Sequence, residues 1–184
     1  MEFDESVNPW KKLSSKEIYN NPWVRVVEDQ VLKPNNTPGI YGHVHFKNKA
    51  IGIVPIDHEL NTWLVGQYRY TLNEYSWEIP TGGVPFAEDT VEGAKRELKE
   101  ETGLVAASIT KLLKIHTSNS VTDEYGYIFL AQELVQESTA WDDTEQLKIR
   151  KLPLADALKL VMDSEITDSL SIAGILKAAR IFEL

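Results

Sequence analysis

Apolar and polar side chains alternate from Trp23 to Leu32 and again from Tyr41 to Phe46, and Pro34-Asn35-Asn36-Thr37-Pro38-Gly39 between them is dense in turn formers. Two strands and a turn predict a hairpin within residues 23–47. Ala50 to Ile56 is apolar without a break, the pattern of a strand buried on both faces. Asp57 to Asn61 turns the chain into a strand over Thr62 to Tyr70. A short strand from Tyr75 to Ile79 then runs into Pro80 and the pair Gly82-Gly83. Ser108 to His116 and Tyr125 to Leu130 also read as strands, joined by Thr117-Ser118-Asn119-Ser120.

The period changes to that of a helix in three places. Pro85, Glu88-Asp89-Thr90 and Gly103 are start and stop signals around a helix from about Thr90 to Thr102. Leu154 to Met162, with Pro153 at its start, and Ser169 to Phe182 read as amphipathic helices. Residues 1–22 are polar, with turn signals at Asn8-Pro9 and Asn20-Asn21-Pro22, and are expected to be a mobile arm, although Trp10 hints at some packing. Glu133 to Glu145 is polar too. Strands on both sides of one helix, then two more helices, predict an α/β chain with a mixed sheet between helical layers, forming one domain over 23–184.

The helix from Thr90 carries the chemistry. Val91, Ala94 and Leu98 form its apolar stripe, Glu92, Lys95 and Lys99 face solvent, and Glu97, Glu100 and Glu101 share a third sector with Gly93. Like charges at Glu97 and Glu101 oppose helix formation by ~0.2–0.5 kcal/mol, and Gly93 costs roughly 1 kcal/mol against Ala. A hard divalent cation accounts for both, because Mg²⁺ takes oxygen ligands and usually bridges one or two carboxylates to substrate phosphates. The missing side chain at Gly93 is expected to leave room for that ligand. Arg96 is placed to orient Glu88 or Glu97 through a bidentate pair, and Gly82 and Gly83 let backbone approach a metal or phosphate closely.

The spacing Gly82, Glu88, Arg96-Glu97-Leu98, Glu100-Glu101, Gly103-Leu104 resembles the Nudix box at every specified position. That resemblance implies an α/β/α sandwich and metal-dependent hydrolysis of a nucleoside diphosphate linked to another moiety. Glu97, Glu100 and Glu101 would then hold Mg²⁺ or Mn²⁺. Val65-Gly66-Gln67-Tyr68-Arg69-Tyr70 and Ser76-Trp77-Glu78-Ile79-Pro80-Thr81-Gly82-Gly83 are similar to the ADP-ribose and nucleoside-diphosphate-sugar branch. By that likeness Arg69 contacts substrate, the Thr81 carbonyl ligates metal, Gly82, Gly83 and Glu88 line the substrate, and Trp77 lines a site shared by an exchanged-strand homodimer. Glu145, with Asp143 in reserve, or a box glutamate supplies the general base. The chain departs from the branch in lacking a proline in the Thr117–Ser120 loop and in having Leu170 where some nucleotide-sugar hydrolases carry a lysine after Ile166-Thr167-Asp168. A broader nucleotide-sugar specificity follows. Within the family the alternatives are a dinucleotide coenzyme such as NADH, coenzyme A or a dinucleoside polyphosphate; outside catalysis, it is an ADP-ribose sensor.

Composition narrows the rest. The 184 residues suit one domain, and a net charge of −9 argues against a nucleic-acid groove while favouring a cation as partner to a polyphosphate. No cysteine is present, so disulfides and thiolate metal sites are excluded. His43 and His45 fall on one strand face, but without further ligands at sensible spacing they fit polar or core roles better than zinc. The acidic start MEFDESVNPWKK does not read as a secretory signal and no apolar run is long enough to span a membrane, so a cytoplasmic location is expected.

Overall fold

A computed structural model of the chain describes residues 5–137 and 147–184. It contains β1 (Lys11–Asn20), β2 (Val24–Leu32), β3 (Pro38–Phe46), β4 (Asn48–Pro55), β5 (Asn61–Arg69), β6 (Glu74–Glu78), β7 (Thr81–Pro85), α1 (Thr90–Thr102), β8 (Leu104–Ile115), β9 (Gly126–Gln136), β10 (Lys148–Pro153), α2 (Leu154–Met162) and α3 (Ser169–Ile181). The described residues up to Lys47, with Ser118–Glu124, form one unit; Asn48–Thr117 and Tyr125–Leu184 form the other.

In the first unit β1, β2 and β3 make an antiparallel sheet in that order. The stretch expected to be a mobile arm is thus a strand over 11–20. All ten of its side chains are exposed, so no burial pattern announced it, and its order comes from backbone pairing such as Lys12 with Val31 and Ser15 with Asp29. The turn between β2 and β3 closes with Lys33 N–H on Thr37 O at 2.9 Å and with Asn36 at φ 59°, a left-handed conformation that asparagine tolerates. Residues 118–124 lie along β3, where Val44 N–H donates to Val121 O at 2.9 Å and Tyr41 Oη to Ser120 O at 2.7 Å. The rings of His43 and His45 are 4.6 Å apart, and each faces a carboxylate, Asp29 and Asp123 respectively.

The second unit is built on two sheets, β10-β5-β6 and the mixed β7-β4-β9-β8. β4 and β9 run parallel, pairing Ile51 with Tyr127 and Ile53 with Phe129, while β7 and β8 flank them antiparallel. Because side chains alternate along a strand, successive residues of β4 and β9 enter different cores. Ile51, Ile53, Phe129 and Ala131 pack with Ala94 and Leu98 of α1, and Val54, Ile128 and Leu130 pack with Leu154 and Ala157 of α2 and Ile175 and Ala178 of α3. Helices on both faces of the sheet, with no exposed residue in β4, explain the unbroken apolar run over residues 50–56 and give the α/β/α sandwich. Among the described residues no helix is long and apolar enough to cross a membrane.

Candidate active site

Local signals set the ends of α1. Asp89, extended at φ −66° and ψ 134°, accepts the N–H of Val91 at 2.8 Å and of Glu92 at 3.2 Å; Gly103 at φ 71° donates its N–H to Lys99 O at 2.8 Å. Those amide hydrogen bonds hold the Asp89 carboxyl below its ordinary pKa. Burial of Ala94 and Leu98 then fixes the rotation of the helix, and the same rotation turns Glu101 inward, where it is 3% exposed.

A carboxylate at that depth needs hydrogen-bond partners. Glu101 Oε2 accepts the N–H of Thr81 at 2.9 Å. Thr81 is itself fixed by its pairing with Gly52 across β7 and β4, and by the preceding Pro80, whose carbonyl accepts the N–H of Ile53 at 2.9 Å. Glu97 lies directly over Gly82: a methyl group at residue 82 would overlap its carboxylate. Gly93 has a different reason to be glycine. A Cβ there would meet the side chain of Val84, with Cγ1 at 2.9 Å, so the space expected for a ligand is filled by close packing of helix on strand. Gly83 stands beside Asn48.

Arg96 gathers the carboxylates. Its Nη1 is 3.0 Å from Glu97 Oε1 and 2.9 Å from Glu100 Oε2, and its Nε is 3.5 Å from Glu88 Oε1. Burial works against the guanidinium charge, but the fields of Glu97, Glu100 and Glu88 outweigh it and raise its pKa. The approach to the helix is held from below by Lys49, which is 7% exposed and donates to the carbonyls of Glu88 at 2.7 Å and Phe86 at 3.3 Å. Nothing in the sequence singled out this lysine; only the fold brings the start of β4 under residues 86–88.

Arg69, at the end of β5, grips Glu78 with both Nε, at 2.8 Å, and Nη2. Glu78 is nearly buried, whereas the arginine side chain is 37% exposed. The Glu78 hydrogen bonds raise the Arg69 pKa against the effect of burial, and Asp168 and Glu101 add to the field. Trp77 packs against the α2 and α3 side of the sheet and edge-on to Tyr75, 5.7 Å between ring centres. Glu145 and Asp143 lie outside the described residues.

Among the described residues no group of three or more His, Cys, Asp or Glu side chains stands arranged to hold a metal ion. The donor set is nevertheless of the kind a hard divalent ion takes: all its groups are carboxylates, and when ionised Glu88, Glu97 and Glu100 outnumber Arg96, the guanidinium they share. An ion that keeps several of its waters needs only an open half-shell.

The family model described as NUDIX domain matches residues 47–170. The chain belongs to the Nudix family of divalent-metal-dependent hydrolases. A second model, nucleoside diphosphate sugar hydrolase N-terminal domain, matches residues 10–44, which takes in β1. This Nudix chain is 30% identical over 161 residues to an ADP-ribose pyrophosphatase of Bacillus subtilis, covering 86% of each protein. It is 31% identical over 173 residues to an ADP-ribose pyrophosphatase of Mycobacterium tuberculosis, with 91% of this chain and 82% of that one covered. To the ADP compounds hydrolase NudE of Escherichia coli it is 30% identical over 144 residues, 77% and 76% covered. The crystal structure of an ADP compounds hydrolase superposes with a TM-score of 0.87 over 98% of this chain and 97% of that one; at 24% identity the likeness is one of fold.

Proposed function

We propose that this Nudix chain hydrolyses the diphosphate bond of ADP-ribose and related nucleoside diphosphate sugars with Mg²⁺, as a homodimer. The observation that carries the reading is the cluster of Glu88, Glu97 and Glu100 around Arg96, with Glu101 on the Thr81 N–H, Glu97 over Gly82 and Arg69 anchored on the neighbouring strand pair. Two relatives that cover most of the chain are named ADP-ribose pyrophosphatase, which points to ADP-ribose among the possible diphosphates.

Glu97, Glu100 and Glu101, with the Thr81 carbonyl, would hold the ion. When bound, Mg²⁺ neutralises charge on the diphosphate and activates water for attack. The chain's own side chains do the rest. Arg96 keeps Glu97 and Glu100 aligned, Arg69 offers a guanidinium to a phosphate, and Gly82, Gly83, Glu88 and Trp77 complete the substrate surface. Attack of a water oxygen on one phosphorus breaks the bridging P–O bond. The water proton passes to a carboxylate oxygen, that of a box glutamate or of Glu145, and the products of ADP-ribose are AMP and ribose 5-phosphate. For the dimer, the support is the apolar surface that Leu13, Ile18, Trp23 and Ile40 leave exposed on the first unit, which suits burial against a second copy.

The test is a substrate panel with Mg²⁺, comprising ADP-ribose, UDP-glucose, NADH, coenzyme A and a dinucleoside polyphosphate, scored by released phosphomonoester. The highest kcat/KM is expected for ADP-ribose. Preference for coenzyme A or NADH would replace that substrate, and tight ADP-ribose binding without product would make the chain a sensor. Light scattering is expected to give twice the monomer mass.

A further inference from the structure

Beyond the last pair of β5 and β6, the chain from Glu78 to Thr81 carries the groups that matter most to the site: the Glu78 carboxylate under Arg69, and the Thr81 N–H on Glu101. Ile79 sits between them, 0% exposed, and no strand takes its N–H. That amide donates instead to Ser171 Oγ at 2.9 Å, a contact spanning 92 residues of sequence. Ser171 is also 0% exposed, and its hydroxyl lies 2.7 Å from Asp168 Oδ2, which accepts the Ser171 N–H at 2.7 Å as well. The direction of the chain is forced. A carboxylate only accepts and Ser171 has a single hydroxyl proton, so Ile79 N–H points to Ser171, and Ser171 O–H points to Asp168. An ionised end strengthens the whole series.

Packing holds the same residue from the side. A Cβ on Gly52 would come within 2.9 Å of Ile79 Cδ1, and one on Gly174 within 3.2 Å, so β4 and α3 close on the isoleucine side chain at two glycines. Asp168 caps the first turn of α3 while its charge also bears on Arg69. One helix end therefore fixes both the amide and the side chain of the residue that joins Arg69's anchor to Glu101's.

We infer that Asp168 and Ser171 are positioning residues of the active site: they set the Glu78–Thr81 segment, and through it the Thr81–Glu101 contact on which ion affinity depends. The inference rests on the metal site of the proposed function. Ser171 is 0% exposed and its hydroxyl meets the Glu78–Thr81 segment through the Ile79 N–H. Outer partners of metal ligands typically change affinity or activity by roughly 10–100-fold when removed.

The experiment measures Mn²⁺ binding to the full chain without substrate, by the electron paramagnetic resonance signal of the free ion, alongside ADP-ribose kinetics with Mg²⁺. Ser171→Ala is expected to weaken Mn²⁺ about 10-fold or more, and to lower kcat with little change in KM. Ser171→Thr, which keeps the hydroxyl, is expected to recover most of both. Should Ser171→Ala not fold, Asp168→Asn, which keeps a capping side chain but not the charge, decides by a shift in the same direction. A folded Ser171→Ala, or in its absence Asp168→Asn, with wild-type Mn²⁺ affinity and kcat would overturn the inference and leave the proposed function standing. A wild-type chain that binds no Mn²⁺ and releases no product would remove the metal reading itself, and the inference with it.

Discussion

Gly82→Ala separates the chemistry of this site from its stability. The residue lies in β7 opposite Ile51, its backbone is not left-handed, and the nearest atoms to an added side chain are those of the Glu97 carboxylate. Carbon atoms rest at about 3.5–4.0 Å, so the added methyl group must push that carboxylate back by about 1 Å or more. The group displaced is the far end of a flexible side chain. Loss of stability should accordingly be small, with Tm within about 2 °C of wild type. Activity is another matter. Displacing Glu97 breaks its 3.0 Å contact with Arg96 and moves one proposed ligand of the ion, and a misplacement of about 1 Å costs on the order of 10²-fold in rate. The assay is ADP-ribose hydrolysis across a Mg²⁺ titration, with thermal unfolding measured on the same sample. Turnover within threefold of wild type would refute the role given to Glu97, as would a loss of turnover that merely tracks a collapse in Tm.

Gly93→Ala should behave in the opposite way: overpacking against the buried Val84 costs roughly 1–3 kcal/mol against a helix-propensity gain of about 1 kcal/mol, so Tm should fall, by up to roughly 8 °C, and a rise would show that Val84 yields freely. Glu101→Gln keeps an oxygen for the Thr81 N–H and should fold normally while losing roughly 10–100-fold in kcat; a circular dichroism melt and a turnover assay check the two halves separately. Asp57 supplies the pH dependence. Burial would raise its carboxyl pKa, but Lys151 at 2.7 Å and the amides of Asn61 and Glu59 lower it to about 2. A depressed folded-state value stabilises the protein above the ordinary carboxylate pKa, and the contribution fades as pH falls from about 4 towards 2. Urea midpoints should therefore place Asp57→Asn below wild type at pH 7 and close to it near pH 2; a gap of equal size at both would contradict the assignment.

What could be read before the fold was known followed from local rules. The limits of α1 rested on Asp89 and Gly103, which act on their own neighbours, and the central strands on unbroken or alternating apolar runs. β1 escaped because a strand exposed on all ten side chains leaves no pattern, and β10 because only one of its six side chains, Leu152, is buried. β7 leaves no strand signal of its own, since two of its five residues are glycines with a proline on either side of the Thr81–Val84 stretch. At the site, the glutamates and Arg96 were legible as a spacing on one helix. The supports were not: Lys49 beneath Glu88, Thr81 on Glu101 and Ser171 on Ile79 join residues 39, 20 and 92 positions apart. Gly93 was misread for the same reason, because its neighbour Val84 belongs to another element.

Where the ion sits is the most direct question left to experiment. Crystals of the chain grown with Mg²⁺ and a non-hydrolysable ADP-ribose analogue should show an ion at about 2.0–2.1 Å from carboxylate oxygens of Glu97 and Glu101, with the analogue's diphosphate on its far side. Those glutamates still closed on Arg96 and Thr81, with the diphosphate bound elsewhere and no ion between, would contradict the account.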